Sequence, residues 1–528
     1  MRNVLAAMLV FLLIGSVCFA ADTPAAPNQT IAEVKSAVTV YPATTSTGSR
    51  LTVDLTRFSN AQDENTVIQK SKKADFQQVA TDGGYVVVTS KNTYNDPQWH
   101  EVVKVLSFKH NAEIMVYEGT VAIAKDELAK RMPKYVCFIL KPEEANWQFV
   151  LKVHRMTRML DDDPYTDTIW GIITGYDVYD ALRIAACSDP LVIHKALSAT
   201  FTFPMENFDE AIRYNESQKN YEEVKTKDGV IKETTCPDDT TKELVDNLNN
   251  YKPDLFITSG HASERDWRIG YNYDNGEFRC KDGVLRGVDL EGTIYPVNSP
   301  NPKVYIAPGN CRIANIKNRN SIALAYMSSC GANQMVGYTV RTIQGYGGWG
   351  TYLYFMYQPG RFTLAESWYL NNQSLINRLE TRFPDKARVD IDNWDDYTDP
   401  TIMSILGYKH WDINVEENVK LINDRDTVVL YGDPAWDARL VSRNTGWEQK
   451  LTEKDGVYTF ELTGLEDTTC MRPPAMFLPH RVRNVEILVG KELAPLVTDN
   501  FLMLPKLEKV EKGKIYRLVF KAEKAYSM

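Results

Sequence analysis

The feature that most constrains this 528-residue chain is an alternation that begins at Tyr85. The β-branched and apolar runs YVVVTS (85–90), AEIMVYEG (112–119) and YVCFIL (135–140) are separated by helix-compatible stretches at 99–108 and 125–132. Runs that are apolar on both faces suit strands covered by helices on both sides. The alternation therefore predicts an α/β fold with a parallel sheet. Further strands are expected at 169–173, 255–258, 303–307, 334–339 and 427–430, and helices at 179–186, 240–251, 321–328, 364–380 and 401–406. The span 85–440 exceeds a typical single domain, so two side-by-side α/β units with a join near 205–235 are expected. After Leu440 the texture changes. VYTFELTGL (457–465), NVEILVG (484–490) and IYRLVF (515–520) alternate with period two, as strands of an antiparallel β-sandwich do.

The amino terminus reads as an export signal. Arg2 precedes an apolar stretch, 4–17, that is too short to span a bilayer comfortably, and small residues follow at Ala20 and Ala21. An extracellular, periplasmic or cell-surface location is expected, with an uncleaved anchor or a lipoprotein signal at Cys18 as the alternatives. No later run of 18 apolar residues occurs, so no stable membrane insertion is expected of the mature chain. The expected divisions are a signal peptide (1–20), a polar flank or prosegment (21–80), a first α/β subdomain (81–205), a catalytic subdomain (206–440) and a β-sandwich (441–528). Lys and Arg number 60 against 69 Asp and Glu, a net charge of −9 that gives no basic footprint for nucleic acid.

Two strand ends carry reactive side chains. LFITSGHASERDW (255–267) places His261 just beyond an apolar strand, and VYIAPGNCRIANI (304–316) places Cys311 just beyond another. Ligand sites in open α/β sheets lie beyond the carboxyl ends of strands, so neighbouring strands would present both residues at one edge. Cysteine and histidine together make a nucleophile and a proton-transfer group. Singly, each residue also fits a structural role, as a hydrogen-bonded histidine or a core thiol. Eight cysteines less Cys18 leave seven, so an exported chain keeps at least one unpaired thiol. The pairing of the remaining six is open. No CxxC or HExxH occurs, which argues against a structural zinc site.

These residues resemble the gingipain-type cysteine peptidases, which have a caspase-like fold. GHASERDW is similar to that family's histidine segment, APGNC to the approach to its nucleophile, and LYGDPAWDARL (430–440) to its closing segment. YVCFILKPEEAN (135–146), DDDPYTDTIWG (161–171) and SIALAYMSSCGANQMVGYT (321–339) are similar at the level of pattern. The resemblance implies a caspase-like parallel-sheet sandwich of two side-by-side subdomains, followed by an immunoglobulin-like, C-terminal antiparallel β-sandwich. It implies a secreted cysteine endopeptidase acting on proteins or peptides through a thioester, with no cofactor required.

In that reading Cys311 is the nucleophile and His261 the proton-transfer group, and the amides of Cys311 and Ala262 form the oxyanion hole. Ala262 stands where the family has glycine, and Asn310 where a smaller residue is commoner. Asp167 is the match for a carboxylate that orients the histidine, although a solvated acidic turn reads the same way. Asp180 is the match for an acidic pocket base, or a plain first-turn carboxylate. Trp349 in GYGGWG is expected to wall the cleft or to pack as an ordinary aromatic. Asp433 reads as a structural turn beside Pro434. Ser259 and Ser263 lack the elbow of a serine hydrolase. Asp161–Asp163 read as turn residues, with a structural calcium as the minority option. The alternative function is a catalytically inactive relative that serves as a binding or secretion-associated surface module.

Overall fold

The computed structural model describes residues 37–43, 50–54, 73–79, 81, 83–343, 345–394 and 417–525. The expected signal segment, Cys18 and the expected helix at 401–406 lie outside the described residues. The architecture is mixed α/β, built on one large, mostly parallel sheet of thirteen strands. In chain order these are β1 (Ala37–Tyr41), β2 (Tyr85–Ser90), β3 (Glu113–Glu118), β4 (Tyr135–Ile139), β5 (Ile169–Ile173), β6 (Lys195–Ala199), β7 (Glu210–Tyr214), β8 (Glu222–Lys225), β9 (Ile231–Thr234), β10 (Leu255–Thr258), β11 (Lys303–Ile306), β12 (Ala332–Tyr338) and β13 (Val428–Tyr431). Their order across the sheet is β1-β3-β2-β4-β5-β13-β12-β11-β10-β6-β7-β8-β9.

Neighbours are parallel from β3 to β5 and again from β12 to β7. β13 runs antiparallel to β12 and meets β5 through the single pair Tyr431–Ile172. The strands at the centre are buried along their whole length, as the apolar runs require. Residues 205–235, the expected join, lie within the large sheet. They contribute β7, β8 and β9, which extend the same sheet outward from β6. The expected flank also joins the sheet, since β1 adds antiparallel to β3 over five residue pairs.

Helices cover both faces: α1 (Pro97–His110), α2 (Lys125–Arg131), α3 (Trp147–Thr157), α4 (Val178–Ala186), α5 (Thr241–Asp246), α6 (Ile322–Met327), α7 (Tyr346–Tyr357), α8 (Leu364–Arg382) and α9 (Glu417–Thr427). Their starts follow from side chains that accept the first amides. Asp96 caps α1 ahead of Pro97, Asp177 caps α4, and Thr363 with Glu366 forms a capping box on α8. None of the helices among the described residues is long and apolar enough to cross a membrane.

The C-terminal region is antiparallel. β14 (Trp447–Lys454), β15 (Val457–Gly464), β17 (Val482–Val489) and β20 (Ile515–Lys524) form one sheet, and β16 (Ala475–Phe477), β18 (Leu496–Val497) and β19 (Phe501–Met503) another. Tyr458, Phe460, Leu518 and Phe520 share a core with Leu502, so both sheets close over one apolar interior. Ala475, Phe501 and Met503 belong instead to the main core and dock this region on the α/β unit.

Candidate active site

β10 and β11 lie side by side and parallel, with Phe256 opposite Tyr305 and Ile257 opposite Ile306. Their carboxyl ends therefore open at one edge, and both candidate residues leave the sheet there. The histidine turn is built from its own backbone. Gly260 adopts a left-handed φ of 93°, His261 O accepts from Arg268 N–H at 2.9 Å, and Ala262 bridges Trp267. The buried Trp267 closes the turn by donating its indole N–H to Ser259 O at 2.8 Å. Ala262 is not among the residues with positive φ, so alanine is tolerated there. The glycine-requiring position is Gly260.

His261 is half-buried and stacks on Tyr271, ring centres 4.7 Å apart and 15° from parallel. Burial, and then the charge of Arg268, hold its pKa below the ordinary 6.5. The ring is thus neutral near pH 7 and able to take a proton.

Asn310 joins the two loops. It is fully buried, donates to Gly260 O at 3.1 Å and accepts from Thr258 Oγ1 at 3.0 Å. Thr258 in turn bonds the Tyr305 hydroxyl at 2.7 Å. The residue before Cys311 is therefore clasped to the residue before His261. Cys311 Sγ lies 4.0 Å from Thr342 O. Arg312 follows with a φ of 55° and is held there by its amide, which donates to Val340 O at 2.9 Å. That conformation costs a side-chain-bearing residue roughly 1–2 kcal/mol.

Trp349 is brought to the same place. A Cβ on Gly309 would lie 3.0 Å from its indole nitrogen, and one on Gly348 would lie 2.2 Å from Pro308 O, so α7 packs directly on the approach to Cys311. Phe201 continues this aromatic wall at 5.0 Å.

Glu216 is a residue that sequence reasoning missed. It follows β7, is 1% exposed, and accepts from Ser259 Oγ at 2.6 Å. Its carbonyl accepts from Tyr271 N–H at 2.7 Å. A Cβ on Gly260 would lie 3.1 Å from its carboxylate. Burial pushes its pKa up to about 7, against the Ser259 hydrogen bond and Arg213. Its Oε1 is buried and makes no hydrogen bond among the described residues. Glu216 thus backs both the turn and the ring partner of His261. Ser259 serves it as a donor, and Ser263 donates to Asp266 at 3.1 Å.

Asp433 fixes the polarity of the sheet halves. Its carboxylate accepts from Tyr85 Oη (2.8 Å), the first residue of β2, and from His110 Nε2 (2.7 Å) and Lys109 Nζ (2.8 Å), just before β3. Its carbonyl accepts from Gln334, near the start of β12, at 2.7 Å. The amino ends of both halves therefore meet at one edge. Asp433 is a buried charge hub rather than a plain turn residue. Burial alone would raise its pKa, but His110 and Lys109 hold it well below the usual carboxylate range.

Asp167 precedes β5 and so stands at this amino edge, opposite Cys311. Its carboxylate accepts from Leu160 N–H at 3.1 Å and gathers with Asp161 and Asp499, not with His261. Burial, then Asp161 and Asp499, push it up to about 9. Asp180 lies at the carboxyl edge on the first turn of α4, three strand spacings, about 14 Å, from β11. Its carboxylate accepts from Tyr176 N–H at 3.1 Å and faces Arg183 and Ser328. The structure thus sets the loops of His261, Ala262 and Cys311 side by side, with Trp349 against Gly309, and leaves Asp167 and Asp180 apart from them.

The seven described cysteines remain thiols. Burial pushes Cys236 up to about 11 and Cys470 up to about 12, and raises Cys137, Cys187, Cys280 and Cys330 as well, which disfavours their thiolate forms. No known protein family matches this chain, and no curated protein matches it.

Proposed function

We propose that the chain is a cysteine peptidase of the gingipain type, with a caspase-like core and an immunoglobulin-like C-terminal region. The observation that carries this reading is the Asn310 clasp, which ties the Cys311 loop to the His261 turn at the ends of adjacent parallel strands. Cys311 Sγ attacks a peptide carbonyl carbon and passes its proton to His261. The developing oxyanion is met by the amides of Cys311 and Ala262. His261 then gives the proton to the departing amine, and the thioester remains on Cys311. His261 next draws a proton from water, whose attack releases the acid and restores the thiol. Glu216 and Tyr271 support the turn that carries His261, and Trp349 forms one wall of the cleft. An exported, soluble enzyme acting on protein or peptide substrates fits this chemistry.

The test is an electrophilic thiol probe, iodoacetamide or an epoxide, applied to the intact folded chain with tryptic mapping. Cys311 should label ahead of the other six thiols, and His261→Ala should slow it. Preferential labelling of another cysteine, or indifference of Cys311 to His261→Ala, rejects the reading.

A further inference from the structure

We propose, resting on the peptidase reading of the cleft, that Arg472 from the C-terminal region is a positioning residue for that cleft. It holds the first turn of α7, and with it Trp349 and the Pro308–Gly309 approach to Cys311.

The start of α7 is held from outside the helix. It begins at Gly345, which has a φ of 81° and no side chain to cap the first amides. Those polar groups are met by three other elements. Gly347 N–H donates to Asp424 of α9 at 3.0 Å, and Gly348 N–H to the Tyr338 hydroxyl of β12 at 3.1 Å. The buried Asn371 of α8 donates to the carbonyls of Tyr346 at 3.1 Å and Gly347 at 2.8 Å. Arg472 donates to the oxygen of that same amide. A guanidinium can only donate, so it fixes which way the amide points: oxygen toward Arg472, nitrogen toward α7. Arg472 also places a positive charge near the buried Asp424, which favours the carboxylate that Gly347 meets.

The guanidinium is delivered by a stiff segment between β15 and β16. Pro473 and Pro474 follow Arg472 and keep it extended. Cys470 N–H donates to Glu508 O at 2.8 Å, and Pro474 O accepts from Leu504 N–H at 2.9 Å, which ties the segment to its own sheets. On the other side the guanidinium lies 5.7 Å from the ring centre of Tyr354 in α7, and the Tyr354 hydroxyl donates to Pro473 O at 3.0 Å. Gly350 leaves the space, since a Cβ there would collide with Arg472 Nη2 and Asn371 Oδ1. The same turn meets the cleft through Gly348 against Pro308 and Trp349 against Gly309. A turn so rich in glycine has little helical tendency of its own. Without Arg472 the Asn371 amide is free to rotate, and the turn that carries Trp349 loosens first.

The experiment uses the intact chain labelled with fluorotryptophan and read by fluorine NMR. The Trp349 line, one of ten, is identified by its loss in Trp349→Phe. Arg472→Met should shift or broaden that line and slow iodoacetamide alkylation of Cys311 by about 3–10-fold. Arg472→Lys, which keeps a donor and the charge, should lie between Arg472→Met and the wild type in both readings. Phe477→Leu is the control for docking alone. It thins the packing of the C-terminal region on Phe362 and Tyr369 and should lower the melting temperature while leaving line and rate unchanged. If Arg472→Met fails to fold, Arg472→Lys decides: a shifted line with a slower rate supports the proposal. A wild-type line or rate in the deciding variant, or the same shift and slowing in Phe477→Leu, overturns it. A wild-type Cys311 that reacts no faster than the other thiols rejects the peptidase reading instead, and the Trp349 line still reports whether Arg472 holds α7.

Discussion

The two edges of the large sheet are held by opposite means. At the carboxyl edge, mostly uncharged groups fix the loops: the Asn310 amide, the Thr258 hydroxyl and the Tyr271 ring, with the buried Glu216 carboxyl accepting from Ser259. At the amino edge, a buried ion pair does it: Asp433 with Lys109, while His110 hydrogen-bonds the same carboxylate, all three nearly inaccessible to solvent. Neutral donors position a thiol and an imidazole without fixing their protonation, so those groups stay available for proton transfer. Paired buried charges lock a structure but are intolerant of losing a partner. On the proposed function, chemistry falls to one edge and cohesion to the other.

The largest expected effect breaks that assignment at its most exposed point. Cys311→Ala should lower peptide hydrolysis by about 10⁶-fold, as removal of a nucleophile does, and leave the melting temperature nearly unchanged. Residual cleavage near wild-type levels would place the chemistry elsewhere. Next is Asp433→Asn at the other edge. It strands the Lys109 ammonium in the interior and should cost about 3–5 kcal/mol in urea unfolding. The Asp433 pKa is depressed in the folded state, so its stabilisation is complete above the unfolded value of about 3.9 and is lost as pH falls toward the folded one. The gap between wild type and variant should therefore be widest near neutrality and narrow below about pH 4. A gap independent of pH would show that the loss comes from packing rather than charge.

Asn310→Ala sharpens the comparison, because stability and reactivity should separate. Two buried hydrogen bonds go, at about 1–3 kcal/mol, whereas Cys311 alkylation should fall by about 10²-fold as the loops drift apart. Equal small losses in both measurements would reduce the clasp to ordinary packing.

These edges also show what the amino-acid pattern could carry. Apolar runs at 169–173 and 255–258 became β5 and β10 with the same bounds, because a buried strand writes its whole length in apolar residues. His261 and Cys311 were singled out because each lies a few residues beyond such a run. The places of Asp167 and Asp180 were not legible, because local pattern does not say at which edge, or how many strands away, a loop will emerge. Glu216 sits in the unremarkable segment YNES and gains its meaning from burial against Gly260, a contact between residues 44 apart in the chain. The glycines of 345–350 concealed α7, whose close approach to Pro308 needs them. Asn310 read as a departure from a pattern, yet it is the residue that joins the two loops.

The smallest effect concerns strain. Arg312 holds a left-handed conformation directly after Cys311, at a cost of roughly 1–2 kcal/mol. Glycine there would relieve that strain but lose about 0.5–1 kcal/mol more backbone entropy on folding. Arg312→Gly should therefore gain between about 0 and 1.5 kcal/mol of stability in urea. If the strained turn keeps Cys311 aimed at the His261 side of the cleft, the looser glycine chain should slow alkylation a few-fold while the protein grows no less stable. A variant alkylated at the wild-type rate would confine the preorganisation of this edge to the Asn310 clasp, because the one strained residue beside the thiol would then contribute nothing to its reactivity.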